Sequence, residues 1–106
     1  MNSGSNFLHG NSFKKDYKKR RVMVHFTPLA YEDECSLIKT PHLHRCSINI
    51  TISTGKDHYY YNYITLGRLE YKCDKINEAM KYFSSLQNSR KKFIEVLEPL
   101  LMENSL

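Results

Sequence analysis

Two segments of the chain alternate apolar and polar residues with the period of a β-strand. The apolar positions are Val22, Val24 and Phe26 in the first segment and Ile48, Ile50 and Ile52 in the second. Successive side chains of a strand point to opposite faces, so each segment predicts a strand with one buried face. Pro28 ends the first strand because it lacks the N–H that a sheet requires.

A third strand is predicted within residues 58–73, HYYYNYITLGRLEYKC, where tyrosine, isoleucine and threonine favour β-structure. Residues 54–57, Thr-Gly-Lys-Asp, supply turn chemistry between this segment and the isoleucine segment. The two segments therefore predict a β-hairpin. Gly67 within the third strand indicates a bulge or a bend.

After Asp74, a candidate N-cap, the apolar period becomes helical. Steps of three and four, with Arg90 admitted to the series, connect Ala79, Phe83, Leu86, Phe93, Leu97 and Leu100. The triplet Gln87-Asn88-Ser89 leaves open whether this region is one helix or two, because asparagine and serine weaken a helix interior. Ser89 is able to cap a second helix that ends near Met102.

These elements predict an α+β fold, a small antiparallel sheet of three or four strands with a C-terminal helix or helix pair. Residues 21–103 are expected to form this single domain. Residues 1–20 are rich in Asn, Ser, Gly and Lys and are expected to be a flexible basic arm.

An alternative fold comes from a resemblance to the tetratricopeptide repeat. Tyr63, Leu66, Gly67, Ala79 and Phe83 stand at the spacing of that repeat's signature. The resemblance implies that residues 59–87 are two antiparallel helices, which would make the C-terminal half helical. The tyrosines at 59–61 favour a strand instead.

The net charge of +5 is located entirely at the beginning of the chain. Residues 1–21 contain six cationic side chains against Asp16, a net charge of +5, and residues 22–106 are balanced. The cationic residues are Lys14, Lys15, Lys18, Lys19, Arg20 and Arg21. Such a run is typical of a nuclear-import patch, of an arm that neutralises phosphates, or of a solubilising tail.

The preferred hypothesis for function is a non-catalytic subunit or adaptor of a nuclear, nucleic-acid-associated complex. It would dock another protein, or a second copy, through the C-terminal helix, because so wide an apolar stripe needs a cover. The predicted docking residues are Phe83, Leu86, Arg90, Phe93, Leu97 and Leu100. The alternative is a break near Asn88, after which the last helix folds back onto the first and buries the stripe within the same chain.

The competing hypothesis is direct binding of DNA or RNA. The basic arm would contact phosphates, and a tyrosine-rich strand would stack on bases through a face formed by Tyr59, Tyr61 and Tyr63. Half-buried tyrosines are also common in small cores, so the face has a structural interpretation as well.

Catalysis, cofactors and metal are not expected. The cluster of His42, His44 and Cys46, with Cys35 before it, matches no zinc-ligand spacing. Three cysteines without a signal-peptide core predict reduced thiols and an intracellular protein, with the nucleus favoured by the basic run. No apolar run approaches the roughly 20 residues of a membrane helix.

Overall fold

The computed structural model describes residues 10–28, 45–54 and 62–106. Four antiparallel strands form one sheet in chain order, and two helices follow. The strands are β1 (Asn11–Tyr17), β2 (Arg20–Pro28), β3 (Arg45–Ser53) and β4 (Tyr63–Lys72). A 3₁₀ turn, Cys73–Lys75, leads into α1 (Ile76–Asn88) and α2 (Arg90–Glu103). The predicted α+β fold is confirmed.

The strand pairing confirms the period-two pattern. Val24 lies opposite Ile50, so the apolar faces of β2 and β3 coincide on the side that the helices cover. Between β3 and β4 the register shifts: Ile50 faces Gly67, but Thr51 faces Thr65. Leu66 is therefore an additional residue in β4, which is the irregularity that Gly67 predicted.

The helical, repeat-like alternative is wrong. Residues that would have formed its first helix include Tyr63–Lys72, which pair with β3 at every position except Leu66. In this pairing the backbone N–H and C=O groups bond to another strand, so they are not available for the hydrogen bonds of a helix.

The prediction of a flexible arm through residue 20 is wrong for residues 11–20. Asn11–Tyr17 pair with β2, and the side chains of Phe13 and Tyr17 are buried beneath the helices. The pattern Phe13-x-Lys15-x-Tyr17 has strand period but carries a lysine at its centre. The domain therefore includes β1, while residues 1–9 lie outside the described residues.

The C-terminal region consists of two helices separated at Ser89. The Ser89 hydroxyl accepts a hydrogen bond from the Lys92 backbone N–H at 3.2 Å, which confirms the predicted cap of the second helix. Asp74 is not the cap of the first, because the 3₁₀ turn intervenes and Lys75 occupies the N-cap position. The break reverses the chain and brings α2 back onto the sheet.

The core lies between the sheet and both helices. Phe83 packs edge-to-face on Phe13 and Phe26, with ring centroids 5.2 and 6.0 Å apart, and Phe13 also approaches Phe93 at 6.4 Å. Such aromatic pairs add about 0.5–1.5 kcal/mol each to the free energy of burial. Leu86 and Leu97 are buried in the same cluster.

This packing corrects the predicted docking stripe. Phe83, Leu86, Phe93 and Leu97 are each at most 2% exposed, so a partner cannot contact them without opening the fold. Leu100 is partly buried against the same core. The physical reason is the fourth strand together with the helix break, which give the stripe a cover within its own chain.

Candidate functional site

The turn between β1 and β2 presents two lysines in an unusual backbone conformation. Tyr17 pairs with Arg20, which leaves a two-residue loop, and both loop residues have positive φ: 48° at Lys18 and 66° at Lys19. This is the backbone of a type I′ turn, for which Asn-Gly is the favoured sequence. Lysine in the left-handed region costs about 1–2 kcal/mol per residue. The chain therefore tolerates strain to place two exposed cations at the tip.

Lys15 connects the sheet to the end of the first helix. Its Nζ donates a hydrogen bond to the Leu86 carbonyl at 2.9 Å, satisfying one of the carbonyls left open at the C-terminus of α1. The amine also lies 5.1 Å from the centre of the Phe93 ring and 5.5 Å from that of Phe13. Burial, followed by the charge of Arg90, lowers the pKa of Lys15. Lys15 is therefore a structural cation with little freedom to reach a ligand.

Arg90 fixes the beginning of α2 beside β1. Its guanidinium donates to the Asp16 carbonyl at 3.2 Å and stands 5.4 Å from the centre of the Phe93 ring. The hydrogen bond to Asp16 joins residues 74 positions apart in the sequence. Lys91 and Lys92 follow in the first turn of α2, and both are exposed.

Together, residues 14–21 and 90–92 form one basic surface at the β1 edge of the sheet. The two segments hold nine cationic side chains and one acidic side chain, a net charge of +8. The whole chain carries +5, so the remainder has a net charge of −3. The acidic member, Asp16, is 3.7 Å from the Arg21 guanidinium. The fold therefore concentrates positive charge that is divided between two segments in the sequence.

The structure sorts the residues of the predicted basic arm by environment. Lys18 and Lys19 are exposed at the turn, Lys14 is exposed on the sheet face opposite the helices, and Arg20 is half-buried. Sequence reasoning missed Lys91 and Lys92. The only signal for them was three consecutive cations directly after a candidate cap, in a region whose overall charge is balanced.

Only part of the predicted aromatic face can be located. Tyr59 and Tyr61 lie outside the described residues. Tyr63 is half-buried at the start of β4, opposite Ser53, and β4 is at the other edge of the sheet from β1. Tyr63 is therefore separated from the basic surface by the width of the sheet.

Cys46 belongs to the core. It is fully buried on β3, and desolvation raises the pKa of its thiol to about 11, so the thiol is protonated at neutral pH. His42, His44 and Cys35 lie outside the described residues. Within residues 10–28, 45–54 and 62–106, no three His, Cys, Asp or Glu side chains converge in a way that could hold a metal ion.

No helix in the described part of the chain is long and apolar enough to cross a membrane. Comparison of the chain with protein-family models, curated proteins and solved structures gave no match. Its function has to be inferred from the side chains themselves, and the basic surface is the most distinctive feature they form.

Proposed function

We propose that this protein is a non-catalytic nucleic-acid-binding protein that contacts the phosphate backbone through the basic surface. The observation that carries the proposal is the docking of Arg90 on β1, which adds the cations of α2 to those of the first hairpin. Cations on two neighbouring segments suit the closely spaced phosphates of DNA or RNA. Contacts to phosphate carry no sequence information directly, so binding through them should show little sequence preference.

Local energetics also favour a functional origin for the basic surface. Cations in the first turn of a helix oppose its dipole by about 0.3–1 kcal/mol each, and α2 has Arg90, Lys91 and Lys92 there with no acidic residue. The turn lysines carry backbone strain as well. Two locally unfavourable features that add charge to one surface indicate that the charge itself is useful.

The surroundings of the surface favour nucleic acid over an acidic protein. A protein interface normally has an apolar centre within a polar rim. Among the large exposed hydrophobic residues of the described chain, Ile64 and Leu69 are on β4 at the opposite edge of the sheet. Leu106 lies beside Lys18 and Arg20, but a single leucine is too small to form the apolar centre of an interface. The adaptor hypothesis based on the C-terminal stripe is not retained, because that stripe is in the core. Association with a larger complex and nuclear import remain predictions from the basic run.

Fluorescence anisotropy with labelled single-stranded RNA, single-stranded DNA and duplex DNA tests the proposal across a salt series. Engagement of about four phosphates gives a slope of log K against log salt of about −3 to −4. The informative variant is K91E/K92E, since acidic residues in the first turn of α2 should stabilise the helix while removing cations. We expect its affinity to fall and its melting temperature to be maintained or raised.

The matched control is K75E/K81E on α1, which changes the net charge by the same amount. Lys75 is at the opposite end of α1 from Leu86, and Lys81 is exposed in the middle of that helix. The control should keep most of the affinity. No salt-dependent binding to any of the three nucleic acids, or equal losses in both variants, would overturn the proposal.

A further inference from the structure

In the part of the chain that the structure describes, β4 is an edge strand that the basic surface does not use. Its ten residues make it the longest of the described strands, and among them it pairs on one side only, with β3. Natural proteins protect such edges because their free N–H and C=O groups can recruit another strand. β4 contains no proline, and its bulge lies near one end, at Leu66.

The helices leave an apolar groove beside this edge. The groove has a volume of about 440 Å³ and lies between β4 and α2, with Leu66, Leu69, Tyr82, Val96, Pro99 and Leu100 among its lining residues. Leu69 is 43% exposed and Ile64 is 37% exposed. These two side chains are on the sheet face that carries the helices, where every other strand is covered.

The charges on β4 are self-complementary. Arg68 and Glu70 flank Leu69 and point to the opposite sheet face, where their side chains are at least half exposed and lie 4.0 Å apart. If a second β4 runs antiparallel with Leu69 opposite Leu69, each Arg68 faces the Glu70 of the other copy. If Arg68 or Glu70 is instead the residue that faces its own copy, like charges lie opposite one another, which is destabilising. Of the registers centred on residues 68, 69 and 70, the charge pattern therefore favours the one centred on Leu69.

We propose that a second copy of this chain docks on β4, antiparallel and with Leu69 at the two-fold axis, to form an eight-stranded sheet. Each Leu69 would then be covered by the other, and the two apolar grooves would meet beside the axis. The arrangement is isologous and closes at two subunits. The β1 edge is less suited to the same pairing, because a two-fold axis at Lys14 or at Lys15 places that lysine opposite its own copy. The proposal goes beyond nucleic-acid binding and does not depend on it.

Sedimentation velocity of the full chain over a concentration series is the primary test. Wild type should dimerise reversibly. R68E gives two glutamates beside Leu69 and E70R gives two arginines, so each single variant would oppose like charges at both positions of its own dimer. We expect each to weaken dimerisation by about tenfold or more.

Mixing the two single variants provides the decisive result. In the proposed register, the glutamate introduced by R68E meets the arginine introduced by E70R, and the native Glu70 of the first chain meets the native Arg68 of the second. Both pairs are attractive, so an equimolar mixture should regain the dimer, and the double variant R68E/E70R should dimerise alone. K81E is the control, because it changes the charge as much as R68E does on an exposed site of α1. It should behave like wild type.

The residues changed are exposed, so the variants should remain folded, which circular dichroism verifies. A monomer at every concentration overturns the proposal. A wild-type dimer that the single variants leave intact, or that mixing does not restore, places the interface elsewhere and also overturns it. A second measurement uses L69C with Cys35 and Cys73 replaced by serine. Directly opposite residues have Cα atoms about 4.5–5.5 Å apart, a separation that a disulfide can span; failure to cross-link under mild oxidation contradicts the register.

Discussion

Replacing the turn lysines with the favoured turn sequence should stabilise the fold while weakening nucleic-acid binding. In K18N/K19G, asparagine tolerates the left-handed region and glycine occupies it without a Cβ clash. The same substitution removes two exposed cations from the tip of the basic surface. Stability and affinity are therefore expected to change in opposite directions, which general damage to the fold cannot produce.

The expected gain in stability follows from the backbone angles. Two lysines with φ of 48° and 66° carry strain of about 1–2 kcal/mol each, of which the substitution should relieve roughly 2–3 kcal/mol in total. Against this, glycine adds about 0.4–1 kcal/mol of unfolded-state entropy. The Lys18 amine, 5.3 Å from the Tyr17 ring centroid, also loses an exposed cation–π contact of about 0.5 kcal/mol. A net stabilisation of about 1 kcal/mol remains, equivalent to a rise of roughly 4–8 °C in melting temperature.

The expected loss of affinity follows from the two charges. An exposed ion pair contributes up to about 1 kcal/mol, so losing two phosphate contacts should weaken binding by roughly five- to thirty-fold at low salt. The salt slope should become shallower by nearly two. Urea unfolding and anisotropy on the same preparations measure both effects.

Two matched variants separate charge from backbone strain. K18R/K19R keeps both the charge and the strain, so its stability and affinity should match wild type. K18Q/K19Q keeps the strain and loses the charge, so its affinity should fall while its stability drops only by the lost Lys18–Tyr17 cation–π contact, about 0.5 kcal/mol. If K18N/K19G melts below wild type, the strain argument is refuted; if it binds as tightly as wild type, the turn does not contact the nucleic acid.

Three further predictions concern stability. In the folded chain the pKa of the Cys46 thiol is about 11, against the usual value of 9.0. The unfolded state therefore loses this proton first, and the free energy of unfolding should fall between pH 9 and 11, by at most about 1.4 kcal/mol per pH unit. Urea titrations should show a shallower fall in Cys46→Ala, and an unchanged slope would refute this cause. Thr51→Val should raise stability by about 1 kcal/mol, since in the described part of the chain the Thr51 hydroxyl is buried without a hydrogen-bond partner; destabilisation would mean that the hydroxyl is satisfied. Pro99→Ala should raise the free energy of unfolding by about 1–3 kcal/mol, and the melting temperature with it, because Pro99 interrupts the hydrogen bonding inside α2. An unchanged melting temperature would argue that the helix already accommodates the proline.

The sequence predicted most elements from their apolar period, and β4 from residue types that favour strands. β2, β3 and the helical stripe depend on residues that repeat every second position or every third and fourth. β1 was missed because Lys15 lies at the centre of its buried face. Only the folded chain supplies the Leu86 carbonyl and the two phenylalanine rings that make a lysine acceptable there. Local composition could not reveal partners from α1 and α2.

The same limit explains the errors at the candidate site. The cations of residues 14–21 were evident from composition, and their interpretation as a flexible arm followed from missing β1. That Arg90 lies against Asp16 depends on the reversal of the chain at Ser89. A stripe with steps of three and four is the same in one long helix and in two short ones, so periodicity alone could not predict where Phe93 would pack.

If both proposals hold, the two basic surfaces of a dimer are widely separated. Each β1 is the outermost strand of the joined sheet, seven strand spacings from the other, which is about 34 Å along the sheet at 4.8 Å per strand. A duplex spans that distance in about ten base pairs at 3.4 Å each. A shorter duplex can occupy only one basic surface at a time, whereas a longer one can engage both and gain avidity. Affinity should therefore rise abruptly with duplex length in wild type and K81E, and only gradually in R68E. An abrupt rise that persists in R68E would show that the length dependence arises within a single chain.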